Sequence, residues 1–185
     1  MKQNIIPAIR LTLVCIILFM VIYPAIIWGI AKAAPAKGEG ETVTVNGKVV
    51  GYKLEGQAFT NDKYFNGRPS AAGYNAAGSS GSNKGPTNPD YLKDVQNRID
   101  TFLVHNPTVA KADLPSDLVT SSGSGLDPDI SLQGAMAQAD RIAKIRNINK
   151  ESILRLIQKN IKESGFNKIK KINVLTINIA LDELK

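Results

Sequence analysis

The most concentrated apolar stretch of the chain runs from Leu11 to Ala31, 21 uncharged residues bounded by Arg10 and Lys32. At about 1.5 Å rise per residue such a helix reaches about 31 Å, close to the roughly 30 Å hydrocarbon core of a bilayer. The pattern therefore predicts one transmembrane helix over 11–31. Trp28 lies near its exit end, where interfacial aromatics anchor, and Tyr23, Pro24 and Gly29 are all compatible with a membrane helix. Ala31-Lys32-Ala33 also fits a small-x-small cleavage site. A secretory apolar core runs about 7–15 residues, however, so the greater length favours an uncleaved anchor. The short arm 1–10 is then expected on the cytoplasmic side, and 32–185 on the extracytoplasmic side. Lys2 and Arg10 before the span and Lys32 and Lys37 after it discriminate little between the two orientations.

Beyond the anchor the pattern changes to short elements. Thr42-Val43-Thr44-Val45 and Lys48-Val49-Val50-Gly51-Tyr52 flank Asn46-Gly47, the strongest short hairpin signal. Asn88 is placed to cap a helix with Pro89 in its first turn. Leu92, Val95, Ile99, Phe102 and Leu103 then recur at helical spacing until His105-Asn106-Pro107 breaks the run. Ser131 is a helix N-cap for a segment to about Asn147. Asn149 caps another, with Ile153, Leu156, Ile157 and Ile161 on one face and Gly165 as its stop. The β-branched run from Ile172 to Ile179 predicts a strand. An early hairpin, central helices and a late strand describe a single small α+β domain.

Between hairpin and capped helix lies a segment of different character. Residues 64–89 contain no Val, Ile, Leu, Met, Asp or Glu across 26 positions, yet carry Tyr64, Phe65 and Tyr74 among Gly, Asn and Pro. Charge is also uneven: from Arg141 to Lys171 there are ten basic residues against two acidic, whereas 33–140 holds nine against twelve. The basic run is compatible with anionic headgroups or an acidic partner. A solvated helix face is its simpler explanation, and no nucleic-acid partner is expected. Cys15, inside the apolar span, is the only cysteine, so the part beyond it can form no internal disulfide.

Catalytic templates fail mainly on spacing. Lys84 is followed by Gly85 and lacks the Gly-Lys-Ser/Thr arrangement of a phosphate cradle, and Gly123-Ser124-Gly125 runs into Pro128 where a dinucleotide fingerprint needs glycine or alanine. A Ser-His-Asp set would have to recruit His105, the only histidine, and no serine occupies a nucleophile elbow; a solvated or helix-capping role suits this histidine better. A membrane-anchored Ser-Lys hydrolase is the alternative from another class, although no local motif nominates a pair. Asp127-Pro128-Asp129 lacks the later ligands of a calcium loop and reads as a turn before the Ser131 cap. One apolar helix lines no pathway and offers no ion-coordinating side chain, so any transport role is that of an accessory subunit.

Several blocks, taken in order, resemble the C subunit of the bacterial Kdp potassium-transporting ATPase. They are Tyr64-Phe65-Asn66-Gly67-Arg68-Pro69-Ser70-Ala71, Tyr74-Asn75, and Ser80-Gly81-Ser82-Asn83-Lys84-Gly85-Pro86-Thr87-Asn88-Pro89. Asp117-Leu118-Val119-Thr120 and Ser122-Gly123-Ser124-Gly125-Leu126-Asp127-Pro128 follow, then Val174-Leu175, Asn178 and Ala180-Leu181-Asp182. With the single anchor, the resemblance covers nearly the whole chain. It departs at Asp129, where the family pattern has histidine.

The resemblance implies a subunit, not catalytic by itself, of an inner-membrane complex that hydrolyses ATP to import potassium. The partners so implied are a channel-like potassium-binding subunit (A), a P-type ATPase subunit (B) and a very small membrane peptide (F). The family role is that of a catalytic chaperone raising the ATP affinity of the ATPase subunit. ATP is thus a ligand of the complex, with no cofactor assigned to this chain. Because no phosphate loop is found and the domain is expected outside, assembly over the extracytoplasmic face of the channel-like subunit is the favoured role. Phe65, Arg68, Tyr74, Asn83, Asn88 and Asp127 are the candidate interface or loop-shaping residues, since aromatics and arginine suit protein interfaces.

Overall fold

The computed structural model describes residues 2–184; Met1 and Lys185, the ends of the two outer segments expected from the sequence, lie outside the described residues. The chain divides into two compact units, one ending at Glu41 and one beginning at Thr42.

The first unit is helical from α1 (Lys2–Ile16) through a π-helical stretch (Ile17–Ile22) into α2 (Tyr23–Ala33). The helix therefore begins well before the apolar run, and carries Pro7 and Arg10 within α1. The π-helical stretch has a local cause. Pro24 has no N–H to donate, and its ring would press on the carbonyl four residues earlier, at Met20. Widening the preceding turn relieves this, and the Tyr23 N–H reaches back five residues to the Leu18 carbonyl. Asn4–Ala33 is long and apolar enough to cross a bilayer, and none of it is buried within the chain. After α2 the backbone folds into turns, and Lys32 Nζ pairs with Glu39 at 3.2 Å.

The second unit opens with the hairpin of β1 (Thr42–Val45) and β2 (Lys48–Tyr52), antiparallel with a bulge between Val43 and Thr44. Asn46 and Gly47 both adopt positive φ, 50° and 76°, as a two-residue turn of this hand requires. A long irregular segment leads to α3 (Pro89–His105), whose cap Asn88 accepts from the Tyr91 N–H at 3.1 Å. Further on come β3 (Asp129–Ser131), α4 (Leu132–Arg146), α5 (Lys150–Lys159), β4 (Lys162–Ser164), β5 (Ile169–Asn173) and α6 (Val174–Asp182). β5 lies between β3 and β4 in an antiparallel three-stranded sheet.

Capping explains the helix starts. The Ser131 hydroxyl accepts from Gly134 N, and Asn149 Oδ1 accepts from Glu151 N, both at 2.9 Å. Two expectations are corrected here. α5 ends at Lys159, with Asn160 folding its side chain back on the Leu156 carbonyl, so Gly165 does not stop it and lies instead in the turn between β4 and β5. The run expected as a strand over 172–179 is strand only to Asn173, where the side-chain oxygen accepts the Thr176 N–H at 3.0 Å and starts α6. Burial explains why β propensity lost: Val174, Leu175, Ile177, Asn178 and Leu181 are all buried, a helical spacing rather than an alternating one.

The core combines Ile130 and Ile172 from the sheet, Ala135, Ala139 and Ile142 from α4, Ile153 and Ile157 from α5, and Ile177 and Leu181 from α6. Phe65, from the irregular segment, closes it with no exposed surface.

Candidate functional site

The irregular segment from Lys53 to Asn88 contains only one turn of 3-10 helix, Ala76–Gly78, so its backbone polar groups need partners outside regular structure. Helices α4 and α6 supply them with side-chain amides. Asn178 Oδ1 accepts the Phe65 N–H at 2.8 Å, and its Nδ2 donates to the Phe65 carbonyl at 3.0 Å. Gln138 does the same for the next residue: Oε1 accepts from Asn66 N at 2.8 Å, and Nε2 donates to Asn66 O at 3.2 Å. Each carboxamide thus presents to one residue the donor and acceptor that a neighbouring strand would present.

Arg141, one turn along α4 from Gln138, fixes the surroundings. Its side chain is only 2% exposed. Nε donates to Asn106 Oδ1 at 3.0 Å, while Nη2 donates to Asn66 Oδ1 at 2.9 Å and Gln138 Oε1 at 2.8 Å. Nη1 donates to the Asp62 carbonyl. Burial pulls the guanidinium pKa below the usual arginine value, and the nearby Asp62 carboxylate pushes it back up. At the edge, Arg146 covers the Tyr64 ring at 4.9 Å and donates to Asp182 Oδ1 at 2.6 Å; the Tyr64 hydroxyl donates to the other oxygen of the same carboxylate at 2.9 Å.

A second set of contacts joins the segment to the Gly/Ser loop before β3. Ser122 N donates to Pro69 O at 3.1 Å, Ser70 Oγ to Gly125 O at 2.7 Å, and Gly56 N to Leu126 O at 2.7 Å. Gly125 has φ of 69°, and a Cβ there would come within 2.8 Å of the Ser80 carbonyl, so only glycine fits this crossing. Arg68 Nη1 pairs with Asp127 Oδ2 at 2.9 Å, and Asp127 Oδ1 accepts the Asp129 N–H at 3.1 Å. Asp129 itself pairs with Lys171 across the sheet at 2.5 Å. Both carboxylates of Asp127-Pro128-Asp129 are therefore engaged by cationic side chains.

The candidate residues fall into distinct positions. Phe65 is core, so its ring is not available at a surface. Tyr74, half-buried with φ of 59°, donates its hydroxyl to the Arg68 carbonyl at 2.5 Å. Burial, with a contribution from Asp127, raises its phenol pKa. Asn83 is exposed in left-handed backbone at φ of 53°, and Asn88 is the α3 cap. The structure brings Arg68, Tyr74 and Asp127 together. His105 ends α3 with Nδ1 2.9 Å from Asp62 Oδ2, beside a cavity of about 390 Å³ lined in part by Asn97, Arg98, Thr101 and Phe102.

Gln138, Arg141, Asn178 and Asn106 carry the arrangement, and sequence reasoning passed over them. A signal existed: Gln138 shares the core-facing positions of α4 with Ala135, Ala139 and Ile142, and Asn178 shares those of α6 with Val174 and Leu181. An amide at such a position requires a buried partner. Chemically the arrangement binds and shapes backbone. The hydroxyls of Ser70, Ser79 and Ser131 are bound to Gly125 O, Ser124 O and Asp117 Oδ1, so none of these three is engaged with a lysine as a dyad would need.

Comparison with known proteins identifies the family. The family model described as KdpC, K+-transporting ATPase, c chain, matches residues 5–183. The potassium-transporting ATPase KdpC subunit of Flavobacterium psychrophilum is 52% identical over 183 residues, spanning 99% of this chain and 100% of that protein. The corresponding subunit of Flavobacterium johnsoniae is 54% identical with the same coverage. That of Bacteroides fragilis is 49% identical over 188 residues, 99% of this chain and 98% of its own. The likeness spans the apolar helix, the amide-gripped segment and the terminal helix alike, and the chain belongs to the KdpC family of K+-transporting ATPase subunits.

Proposed function

We propose that the chain is the accessory, non-catalytic subunit of an ATP-driven potassium uptake complex. It is anchored in the bacterial cell membrane by a single pass over 11–31, with 1–10 cytoplasmic and 32–185 extracytoplasmic. The domain docks over the extracytoplasmic face of a channel-like, potassium-binding subunit, in company with a P-type ATPase subunit and a small membrane peptide. The observation that carries this reading is the clamped segment 64–89, which presents a hydrogen-bonded surface in a chain that matches a K+-transporting ATPase subunit family over nearly its whole length. Arg68, Tyr74, Asn83 and Asp127 are the proposed contact or loop-shaping residues, with Phe65 and Asn88 shaping the loop from beneath and from its end. A rigid polar surface of this kind suits recognition, because little ordering entropy remains to be lost on docking.

The chain raises the ATP affinity of the ATPase subunit, as a chaperone of the catalytic cycle. With the domain extracytoplasmic, this effect passes through the partner subunits rather than through contact with ATP. Affinity purification of the full chain from its own membranes is expected to recover the ATPase subunit, and removal of the chain from the complex is expected to raise KM for ATP. Orientation is read by Thr87→Cys, at an exposed position, with an impermeant thiol reagent on spheroplasts. Labelling only after membrane disruption would overturn the topology. Recovery of the chain without the ATPase subunit would overturn the assembly.

A further inference from the structure

Four of the ten basic residues between Arg141 and Lys171 belong to one hairpin, formed by β4 and β5: Lys162, Lys168, Lys170 and Lys171. The run is thus not confined to a helix face, as the sequence reading has it. Every residue from 162 to 170 is exposed. The turn carries Phe166 at its apex with the ring wholly in solvent, and Ile169 beside it is 63% exposed. The tip has a defined shape, closed by Lys168 N donating to Gly165 O at 3.2 Å. Lys171 is bound to Asp129, whereas Lys162, Lys168 and Lys170 make no ion pair among the described residues.

An apolar ring at the apex of a turn, with unpaired ammonium groups on long stems around it, has two requirements at once. The ring requires an apolar phase, and the lysines require anionic groups at the border of that phase. An anionic membrane surface meets both. A protein partner fits less well, because a stable interface buries about 800 Å² per partner and a single projecting ring with Ile169 offers far less. A contact too small to hold a free protein is sufficient for a tethered one, where the second binding event is intramolecular. Eight residues, 34–41, separate α2 from β1 and reach at most about 29 Å.

We infer that the β4–β5 tip is a lipid-contacting wedge, with Phe166 entering the headgroup region and Lys162, Lys168 and Lys170 binding anionic lipid headgroups of the bilayer that holds the chain's own anchor. The inference rests on the anchor reading above. Each lysine is expected to contribute about fivefold to partitioning onto an anionic surface, and the contribution is screened by salt.

The test uses the full chain with Trp28→Phe, which removes the only native tryptophan, and Phe166→Trp as reporter. The protein is reconstituted into vesicles of phosphatidylglycerol or of phosphatidylcholine. In phosphatidylglycerol the expected reporter emission is blue-shifted and quenched by lipids brominated on the acyl chain. The shift is expected to be weaker in phosphatidylcholine, and to be mostly lost on substituting Lys162→Gln, Lys168→Gln and Lys170→Gln together or in about 0.5 M salt. Water-like emission in both lipids, equal shifts in both, or a shift appearing only when partner subunits are added would each overturn the lipid assignment. Flotation separates the two readings. A chain that floats with the vesicles but keeps a water-like reporter defeats the docking alone, and one that fails to float defeats the anchor and the docking with it.

Discussion

Phe65 sits where two differently built regions meet. On one side, Ile130, Ile142, Ile153, Ile157 and Ile177 form a core of aliphatic side chains on helices and strands. On the other, the backbone at Phe65 and Asn66 is held by two carboxamides and an arginine network. Apolar burial tolerates modest repacking, because dispersion and hydrophobic transfer have no strict direction. The polar side has no such latitude: each donor has one geometry, and a lost partner leaves a buried group unpaired. At Phe65 and Asn66 the segment is consequently held by paired, directed bonds, as a strand is, without forming one.

The contrast can be broken most strongly at Arg141. Replacement by Ala leaves Asn106, Asn66 and the Asp62 carbonyl without their shared donor, and is expected to cost about 3–5 kcal/mol, as removal of one member of a buried charged network does. Denaturant unfolding of the full chain in micelles, followed by circular dichroism, reads this; a loss below about 1 kcal/mol would show the network to be replaceable by solvent. Next in size, Ile157→Ala opens a cavity in the aliphatic half and is expected to cost about 3 kcal/mol while segment and helices still unfold together. Asn178→Leu removes both bonds to Phe65 and is expected to cost about 2–3 kcal/mol. Unlike Ile157→Ala, it should make residues 53–88 cleavable by protease before the helices melt, and simultaneous loss would merge the two regions into one.

Smaller effects sharpen the boundary. Gly125→Ala forces a Cβ against the Ser80 carbonyl in left-handed backbone, and about 1–3 kcal/mol of destabilisation is expected from the thermal midpoint. Tyr74 gives the smallest signal. Its phenol pKa is raised on folding by burial and by Asp127. The resulting stability is fully present below the unfolded value near 10.0 and is lost as pH rises through the folded value. Tyr74→Phe should flatten the decline of unfolding free energy across that alkaline window; an unchanged slope would move the titrating group elsewhere.

Local chemistry made much of the helix-and-sheet half legible. Asn46-Gly47, the Asn88-Pro89 start, Ser131 and Asn149 each act within a few residues of themselves, and the elements they delimit are present. The errors have the opposite character. α6 was misread because β-branched residues outweighed a buried spacing whose partners come from α5 and β5. The site was less legible still. Its loop residues stood out by composition, but the side chains that bracket Phe65 and Asn66 lie 72 to 113 residues further along, and an amide on a helix says nothing locally about which backbone it will bind. Of the two roles open to Phe65 from the sequence, interface contact or loop shaping, its burial in the core leaves loop shaping: it lies among Tyr64, Asn66 and Gly67 in the chain, but packs with the aliphatic core in space.

The amide bracket also sets a timetable for the growing chain. Asn178 is made 113 residues after Phe65, and at a synthesis rate of about 5–20 residues per second that interval is about 6–23 s. Throughout it, Phe65 and the unpaired peptide groups around it have no finished shelter, however early the hairpin and α3 form. Closure of the domain waits for α6 to emerge, so a nascent chain stalled anywhere before Asn178 displays its aromatic plug as an open invitation to chaperones and proteases.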